Sequence, residues 1–480
     1  MNKGFVTLVG AGCSKNLITE KGLSEIKTAD AIIYDDLIDQ SLLFEARGDC
    51  ELIYAGKRSG RHSQSQNAIN NIIIEKAKEG KKVVRLKGGD SFVFARGGEE
   101  ILALQKENIL YDIVPGVTSC VAVPESMGIP VTHREVSRSF TVVTGHTADE
   151  TWENFEALAK LKGTLVFLMG LSNLSVITSR LIENGKNKNT PCAVLSKGFS
   201  NEEKRFDGTL ETICEKAKGA KTPAIIVVGD VCRFDLRNTE KKPLSGVSVA
   251  VTGTKHFTHK LSEVLFANGA DTVSYPCIDI EPIKENIQKS IDGFEWLVFT
   301  SANGVRMFFD VITFDFRKFS SFKFACIGKG SADELSKHGF YADFIPSEYT
   351  AKALGKELSQ FLKGDEKVLI LRAENGSDAL CHNLLKGGIC FEDRHIYKTK
   401  ENKKFLQTDA VSTDYTVFAS GSGVRAFFAS GKKLENSVPV CIGQVTAEEL
   451  CKYTESPCLV SENHTAEGIM QTIIKKETEK

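Results

Sequence analysis

The run RLKGGDSFVFARGGEE, residues Arg85 to Glu100, decides how the first half of this 480-residue chain is read. Apolar Val83 and Val84 enter it as a strand, which ends at Gly88-Gly89-Asp90. Phe92 and Phe94 follow, and a second glycine pair, Gly97-Gly98, opens onto Glu99-Glu100. Glycine lets a backbone approach a ligand where a Cβ would clash. An acid at such a turn accepts from a ligand hydroxyl or amine, or caps the turn itself. Taken alone, the run suggests a small-molecule site at the end of a strand.

Working outward, apolar runs of strand length alternate with amphipathic stretches of helix length along the whole chain. VTLVG, AIIY, VVRL, TVVTG, LVFLM and AIIVVG lie in the first half; VAVT, WLVFT, FACIG, VLILR, TVFAS and VCIG lie in the second. This alternation predicts an α/β architecture with mainly parallel sheets. The length predicts several compact units, and 41% hydrophobic residues suffice for their cores. CRFDLRNTEKKPLSG, Cys232 to Gly246, lacks apolar periodicity and reads as an interdomain linker, centred on residues 239–246.

A formal net charge of −1, without a basic tract, gives no field for nucleic acid. No run approaches membrane-spanning length and the N-terminus lacks signal-peptide organisation, so a cytoplasmic location is expected. The 13 cysteines are scattered without zinc spacing and are expected to be reduced, with no metal site. Cys13 stands apart because it lies in the first glycine turn.

The second half repeats itself. WLVFTSANGVRMFF (Trp296 to Phe309) echoes YTVFASGSGVRAFF (Tyr415 to Phe428), FACIGKGSADELSKHG (Phe324 to Gly339) echoes PVCIGQVTAEELCKY (Pro439 to Tyr453), and VAVTGT pairs with VLILRAE. The offsets are 119, 115 and 119 residues, so two similar α/β lobes are expected.

Set in order, GFVTLVGAG, AIIYDDLI, YAGKRSGRHSQSQNAIN, the GGD run, VPGVTSCVAVPESMGIPVTHR, TVVTGHT, TLVFLMGLSNL and TPAIIVVGDV closely resemble the uroporphyrinogen-III C-methyltransferases of the tetrapyrrole methylase family, over residues 3–232. The repeated TSANGV and CIG segments resemble uroporphyrinogen-III synthase over about residues 246–480. The resemblances imply a two-subdomain methylase fold (1–238, divided near 136) followed by a bilobed synthase with flavodoxin-like lobes (247–480). They place one lobe at 247–278 plus 400–480 and the other at 282–397, with crossings near Ile278–Pro282 and Tyr397–Lys400.

By resemblance the cofactor is S-adenosyl-L-methionine, held by Cys13, Gly88, Gly89, Asp90, Val93, Thr118, Ser119, Met169, Gly198 and Ala224. Composition alone reads Met169 as strand core and Thr118-Ser119 as a helix cap. The resemblance makes Asp35 a proton acceptor and Lys57 a proton donor. A carboxylate in that role needs burial or an acidic neighbour such as Asp36. The substrate, an octacarboxylate, demands cations, and Arg58, Arg61, His62, Arg96, His133 and Arg134 are the candidates. In the second half Tyr397 is the expected proton donor, with Thr300, Ser301, Asn303, Gly304, Ser420, Ser422 and Thr446 facing substrate.

The implied chemistry closes hydroxymethylbilane to uroporphyrinogen III and methylates that product twice to precorrin-2, for sirohaem or corrinoid synthesis. A homodimer through the first half is a further implication, and no N-terminal dinucleotide-binding domain is expected. The first loop departs from the family's usual glycine-alanine-glycine-proline-glycine-aspartate, reading Gly10-Ala11-Gly12-Cys13-Ser14-Lys15, and Ser91 stands where proline is usual. Without proline the loop is less constrained, and Lys15 brings a cation where an acid is usual. Lys255 stands where the synthase family often has arginine. A methylase relative with another substrate and a non-catalytic bilobed module remain alternative readings. A nicotinamide-binding fold fits worse, because the G-x-G-x-x-G spacing is incomplete.

Overall fold

The computed structural model describes residues 4–56, 65–145, 154–200, 202–238, 240, 242–313, 315–363, 365–402 and 412–479. The chain divides into two compact units, Met1–Ser248 with Asn268–Asp271, and Val249–Ala267 with Thr272–Lys480.

The first unit holds two five-stranded sheets. One is built from β1 (Phe5–Gly10), β2 (Ala31–Tyr34), β3 (Glu51–Tyr54), β4 (Lys82–Lys87) and β5 (Leu110–Val114), in the order β3-β2-β4-β1-β5 and parallel throughout. Successive side chains of a strand point to opposite faces, and here both faces are apolar. Val9, Ile32, Val84 and Leu86 enter one core cluster; Val6, Leu8, Ile33 and Val83 enter another with Ile69, Ile73, Ile101 and Leu104 of the covering helices. All five strands therefore point their carboxyl ends one way, and the glycine turns gather there.

The second sheet contains β6 (Phe140–Thr144), β7 (Thr164–Leu168), β8 (Pro191–Ser196), β9 (Lys204–Thr209) and β10 (Ala224–Val228), in the order β6-β7-β10-β8-β9. Only β6 and β7 pair in parallel; the other three pairings are antiparallel. This sheet is the exception within a chain whose other sheets pair mainly in parallel, as expected. Apolar runs carry no direction, but loop length does: residues 197–203 between β8 and β9 are too few for a parallel crossover. Leu165, Phe167, Val194 and Ile226 face one cluster, while Val166, Leu168, Leu195 and Ile225 face another that contains Cys120, Val123 and Met127. The helix Ser119–Ser126, which follows β5, is thus bound to the second sheet. The segment expected as a linker is anchored: Leu244 is fully buried and its N–H bonds to the Asn268 carbonyl at 2.9 Å.

The second unit is a nine-stranded sheet. Its strands are β11 (Ser248–Thr254), β12 (Asp271–Pro282), β13 (Trp296–Phe299), β14 (Lys323–Cys326), β15 (Val368–Ala373), β16 (Phe391–Glu401), β17 (Tyr415–Phe418), β18 (Val438–Cys441) and β19 (Leu459–Val460). The order is β14-β13-β15-β16-β12-β11-β17-β18-β19. The repeat equates β14 with β18, β13 with β17 and β15 with β11, so apart from the extra edge strand β19 the order is a palindrome about the β16–β12 junction. At that junction the strands run antiparallel, from Ile278 opposite Glu401 to Pro282 opposite Tyr397. Each lobe is otherwise parallel in its β13–β14–β15 and β11–β17–β18 pairings. Among the described residues no helix is long and apolar enough to cross a membrane.

Candidate functional site

At the carboxyl ends of β1, β4 and β5, three loops meet through bare backbone. Gly12 and Gly89 exchange hydrogen bonds, Gly12 N–H to Gly89 O at 3.1 Å and Gly89 N–H to Gly12 O at 2.8 Å. A Cβ on Gly10 would lie 2.5 Å from Gly116 N, and one on Gly116 would lie 2.2 Å from Gly89 O. Only glycine permits that approach. Asp90 fastens the knot: one carboxylate oxygen accepts from Phe92 N–H (2.8 Å) and the other from Gly116 N–H (3.0 Å). The acid of the GGD turn therefore joins two loops as well as capping its own.

Several loops of this unit hold strained backbone. Seven described non-glycine residues have left-handed φ, and five of them, Phe94, Arg96, Met169, Lys197 and Phe199, lie in the loop after β4 or in the loops that close the second sheet. Such conformations cost about 1–3 kcal/mol each and concentrate at functional sites. Met169 sits one residue past β7 with φ +56° and is 52% exposed, so it is not the strand core that composition suggests. Leu37, Phe92, Phe94 and Val117 are exposed after β2, β4 and β5, giving those loops an apolar rim.

Thr118 occupies the N-cap position of the helix Ser119–Ser126, yet its side chain makes no capping bond. Its hydroxyl lies 3.4 Å from Cys120 Sγ instead. Cys13 Sγ bonds to the Val117 carbonyl at 3.7 Å, and burial, reinforced by Cys120, pushes its thiol up to about 11. Cys13 and Val93 pack against the cluster holding Cys120 and Val123. Gly198 rests on Val123, where a Cβ would come within 2.7 Å of a valine methyl. Ala224 opens β10 opposite Ser196, two residues before Gly198. Cys13, Val93, Thr118, Ser119 and Gly198 are thus linked through the helix Ser119–Ser126 and its cluster, and Gly88, Gly89 and Asp90 through the backbone knot, whereas Ala224 enters the cluster on the opposite face of the second sheet.

Asp35 follows β2, with one oxygen accepting from Leu37 N–H at 3.1 Å. Its neighbour is a cation rather than Asp36: Arg85 Nη2 stands 3.4 Å from the other oxygen, while Asp36 accepts from the Tyr54 hydroxyl. Arg85 and Lys87 lie two apart on β4, so both project to one face. Their side chains are 4% and 5% exposed, and both meet the same oxygen of Glu100, at 3.1 and 3.0 Å. Burial, with Arg85 adding, pulls the Lys87 amine below its usual range, while Glu100 opposes the shift. Sequence reasoning missed this trio, although two charges inside an apolar strand were a legible signal.

Lys57, Arg58, Arg61 and His62 lie outside the described residues. Arg96 is bound to Glu99 at 2.7 Å. His133 packs against Phe234 in a tilted pair, with ring centroids 4.8 Å apart, and its Nδ1 accepts from Glu135 N–H at 3.3 Å. Arg134 is exposed and its carbonyl accepts from Arg138 Nε at 3.1 Å.

In the second unit Tyr397 is a core residue with a polar tip. It is 5% exposed, packed with Phe299, Val305 and Leu371, and its hydroxyl lies 2.8 Å from Ser301 Oγ. Burial pushes its phenol up, and the Ser301 bond only partly offsets this. Ser301 also accepts from Gly304 N–H at 3.0 Å, capping the helix Ala302–Val311 just beyond half-buried Thr300. Asn303 Oδ1 accepts from Arg306 at 3.4 Å. Ser420 repeats the cap in the other lobe, accepting from Gly423 N–H at 3.2 Å and meeting Ser422 Oγ at 3.0 Å. Thr446 is buried in the first turn of the helix Gln444–Leu450. Ser301 and Ser420 therefore serve as helix caps, and Ser301 also bonds to the Tyr397 hydroxyl.

Comparison with known proteins gives two family matches: Tetrapyrrole (Corrin/Porphyrin) Methylases over residues 6–214, and Uroporphyrinogen-III synthase HemD over residues 259–471. A porphyrin biosynthesis protein HemD of Ruminiclostridium josui is 37% identical, covering 99% of this chain and 98% of its own. A uroporphyrinogen-III C-methyltransferase of Methanocaldococcus jannaschii is 55% identical over 48% of this chain and 96% of its own. An S-adenosyl-L-methionine-dependent uroporphyrinogen III methyltransferase of Methanosarcina barkeri is 44% identical over 48% of this chain and 92% of its own.

Proposed function

The chain belongs to the tetrapyrrole methylases in its first half and to the uroporphyrinogen-III synthase HemD family in its second, and from that premise we propose a bifunctional enzyme of tetrapyrrole biosynthesis. The second half closes hydroxymethylbilane to uroporphyrinogen III with inversion of the last ring. The first half methylates that product at two carbons, giving precorrin-2, with S-adenosyl-L-methionine as the donor. The observation that carries the reading is the glycine knot of β1, β4 and β5, with left-handed Phe94 and Arg96 in the loop that follows Asp90.

The residues there suit the donor. Gly89, with φ +66°, leaves open space, the nearest atom to a Cβ being Ser119 N at 3.8 Å. The Thr118 hydroxyl is not spent on capping, Met169 offers a half-exposed side chain, and Cys13 stays a neutral thiol at physiological pH. S-adenosylmethionine supplies an electrophilic methyl group when bound. The chain's task is alignment, because a porphyrinogen carbon is already electron-rich, and alignment is worth several kcal/mol of barrier. Each methylation breaks the donor's S–CH3 bond, forms a C–CH3 bond and releases one proton net: Asp35 takes the proton that leaves the alkylated ring, and a proton that Lys57 lends to the ring as its double bonds shift is returned before product leaves. Arg58, Arg61, His133 and Arg134 receive substrate carboxylates.

In the second half Tyr397 donates a proton to the departing hydroxyl of hydroxymethylbilane. The C–O bond breaks, water leaves, and the pyrrole system supplies the electron pair. A phenol pushed up by burial stays protonated for this role. Thr300, Ser301, Asn303, Ser420, Ser422 and Thr446 line the substrate's path.

The test of the methylase reading is incubation with uroporphyrinogen III and methyl-labelled donor. Two labels per macrocycle are expected. Labelling of a precorrin, a ribosomal RNA or a protein side chain, with uroporphyrinogen III left unlabelled, would assign the chain to another branch of the family.

A further inference from the structure

We infer that Arg85 is a positioning residue for methyl transfer, holding the Asp35 carboxylate in the orientation in which it accepts the proton, with Glu100 and Lys87 as its buried anchor. The inference rests on the reading of Asp35 as the base and deepens it. Arg85 touches Asp35, not substrate, so it acts through that carboxylate.

Three observations support the assignment. The guanidinium is spent in four directions: Nε to Glu100 at 3.1 Å, Nη1 to the carbonyls of Ile33 (3.3 Å) and Leu86 (3.1 Å), and Nη2 to Asp35 at 3.4 Å. Ile33 lies on β2 just before Asp35, so the same side chain fixes both the strand that carries the base and the base's oxygen. A lysine ammonium cannot span such a set in one plane.

The anchor is also poorly built for stability alone. Glu100 is wholly buried, yet one oxygen takes Arg85, Lys87 and Gln66 (3.1, 3.0 and 3.3 Å), while the other has no hydrogen-bond partner among the described residues. Buried ion networks with unsatisfied members are commonly less stable than apolar packing of the same volume. A network retained at that cost is explained by what it orients.

Finally, the anchor leads back to the glycine knot. Glu100 lies in the helix Gly97–Lys106, and Gly97 N–H bonds to Ser91 O at 3.0 Å, next to Asp90. The base and the Asp90 loop are therefore held by one rigid piece of chain.

The experiment compares Arg85→Gln, Arg85→Lys, Asp35→Asn and the Arg85→Gln/Asp35→Asn double variant in the full chain. Single-turnover methylation of uroporphyrinogen III, substrate KM, S-adenosylhomocysteine affinity and thermal unfolding are measured. Arg85→Gln is expected to lower kcat at least 30-fold with KM and inhibitor affinity changed less than threefold. Arg85→Lys recovers only part of that loss, and in the Asp35→Asn background Arg85→Gln has no further effect. Losses that multiply in the double variant, or a loss confined to KM, would overturn the inference. If Arg85→Gln does not fold, Arg85→Lys decides: a lowered kcat at unchanged KM supports the role, and wild-type kcat refutes it. Full activity of Asp35→Asn would instead remove the base reading itself, an outcome distinct from failure of the Arg85 assignment.

Discussion

Replacing Gly89 by alanine separates a ligand-binding reading of the knot from a purely structural one. Gly89 has φ +66°, so an alanine there carries the left-handed penalty of about 1–2 kcal/mol in folding stability. The protein itself offers no further obstacle, since a Cβ would meet Ser119 N at 3.8 Å and Thr118 Cα at 4.0 Å, both ordinary contacts. The methyl group occupies the space assigned to the donor. A ligand atom that must move by more than a few tenths of an ångström there loses contacts and alignment, and a tenfold loss of affinity corresponds to about 1.4 kcal/mol. Calorimetry with S-adenosylhomocysteine should therefore show at least a tenfold weaker Kd, while the melting temperature falls only modestly. Gly98→Ala is the control: nothing lies within 4 Å of its Cβ and φ is not left-handed, so affinity is unchanged and helix propensity rises. Wild-type affinity in Gly89→Ala would refute the placement of the donor over this turn.

Gly116→Ala is the severe counterpart: its Cβ falls 2.2 Å from Gly89 O, so the loops must part, and thermal unfolding should show a loss of about 3 kcal/mol or more together with abolished inhibitor binding. Tyr397→Phe removes a hydroxyl bonded to Ser301 at 2.8 Å while keeping the buried ring; denaturation should show a cost of only about 1 kcal/mol, whereas formation of the type III isomer from hydroxymethylbilane should fall at least tenfold. Glu334, although burial pushes its carboxyl up, is held down at about 2 by hydrogen bonds from Arg306 and Lys337. Its folded value lies below its unfolded one, so its stabilisation is present above about pH 4.5 and is lost as pH falls towards 2; the stability difference between wild type and Glu334→Gln should shrink across that window and vanish below it.

Much of this was legible in the sequence because several signals agreed. Continuous apolar runs on β1, β2 and β4 are the pattern of a sheet buried on both faces, and the strand–small-residue–helix repeat of the second half reappears as the order of the nine-stranded sheet, palindromic apart from β19. The rest was not legible for physical reasons. Strand direction in the second sheet depends on loop geometry, which apolar runs do not encode. Met169 belongs by composition to the strand LVFLM, and only the left-handed turn after Leu168 sets it at the surface. The double use of Asp90, by its own turn and by Gly116, is a long-range contact that spacing cannot show. Arg85 and Lys87 were visible as charges in a buried strand, but their common partner Glu100 emerges only when the helix Gly97–Lys106 folds back on β4.

In the proposed function one chain performs two consecutive steps on a tetrapyrrole. Its most direct test supplies hydroxymethylbilane to the full-length protein, with and without S-adenosylmethionine, followed by isomer analysis and mass spectrometry of the oxidised products. The account predicts the type III isomer alone without the donor, and a macrocycle carrying two added methyl groups with it. Recovery of only the uninverted isomer, or of an unmethylated macrocycle in the presence of donor, would contradict it.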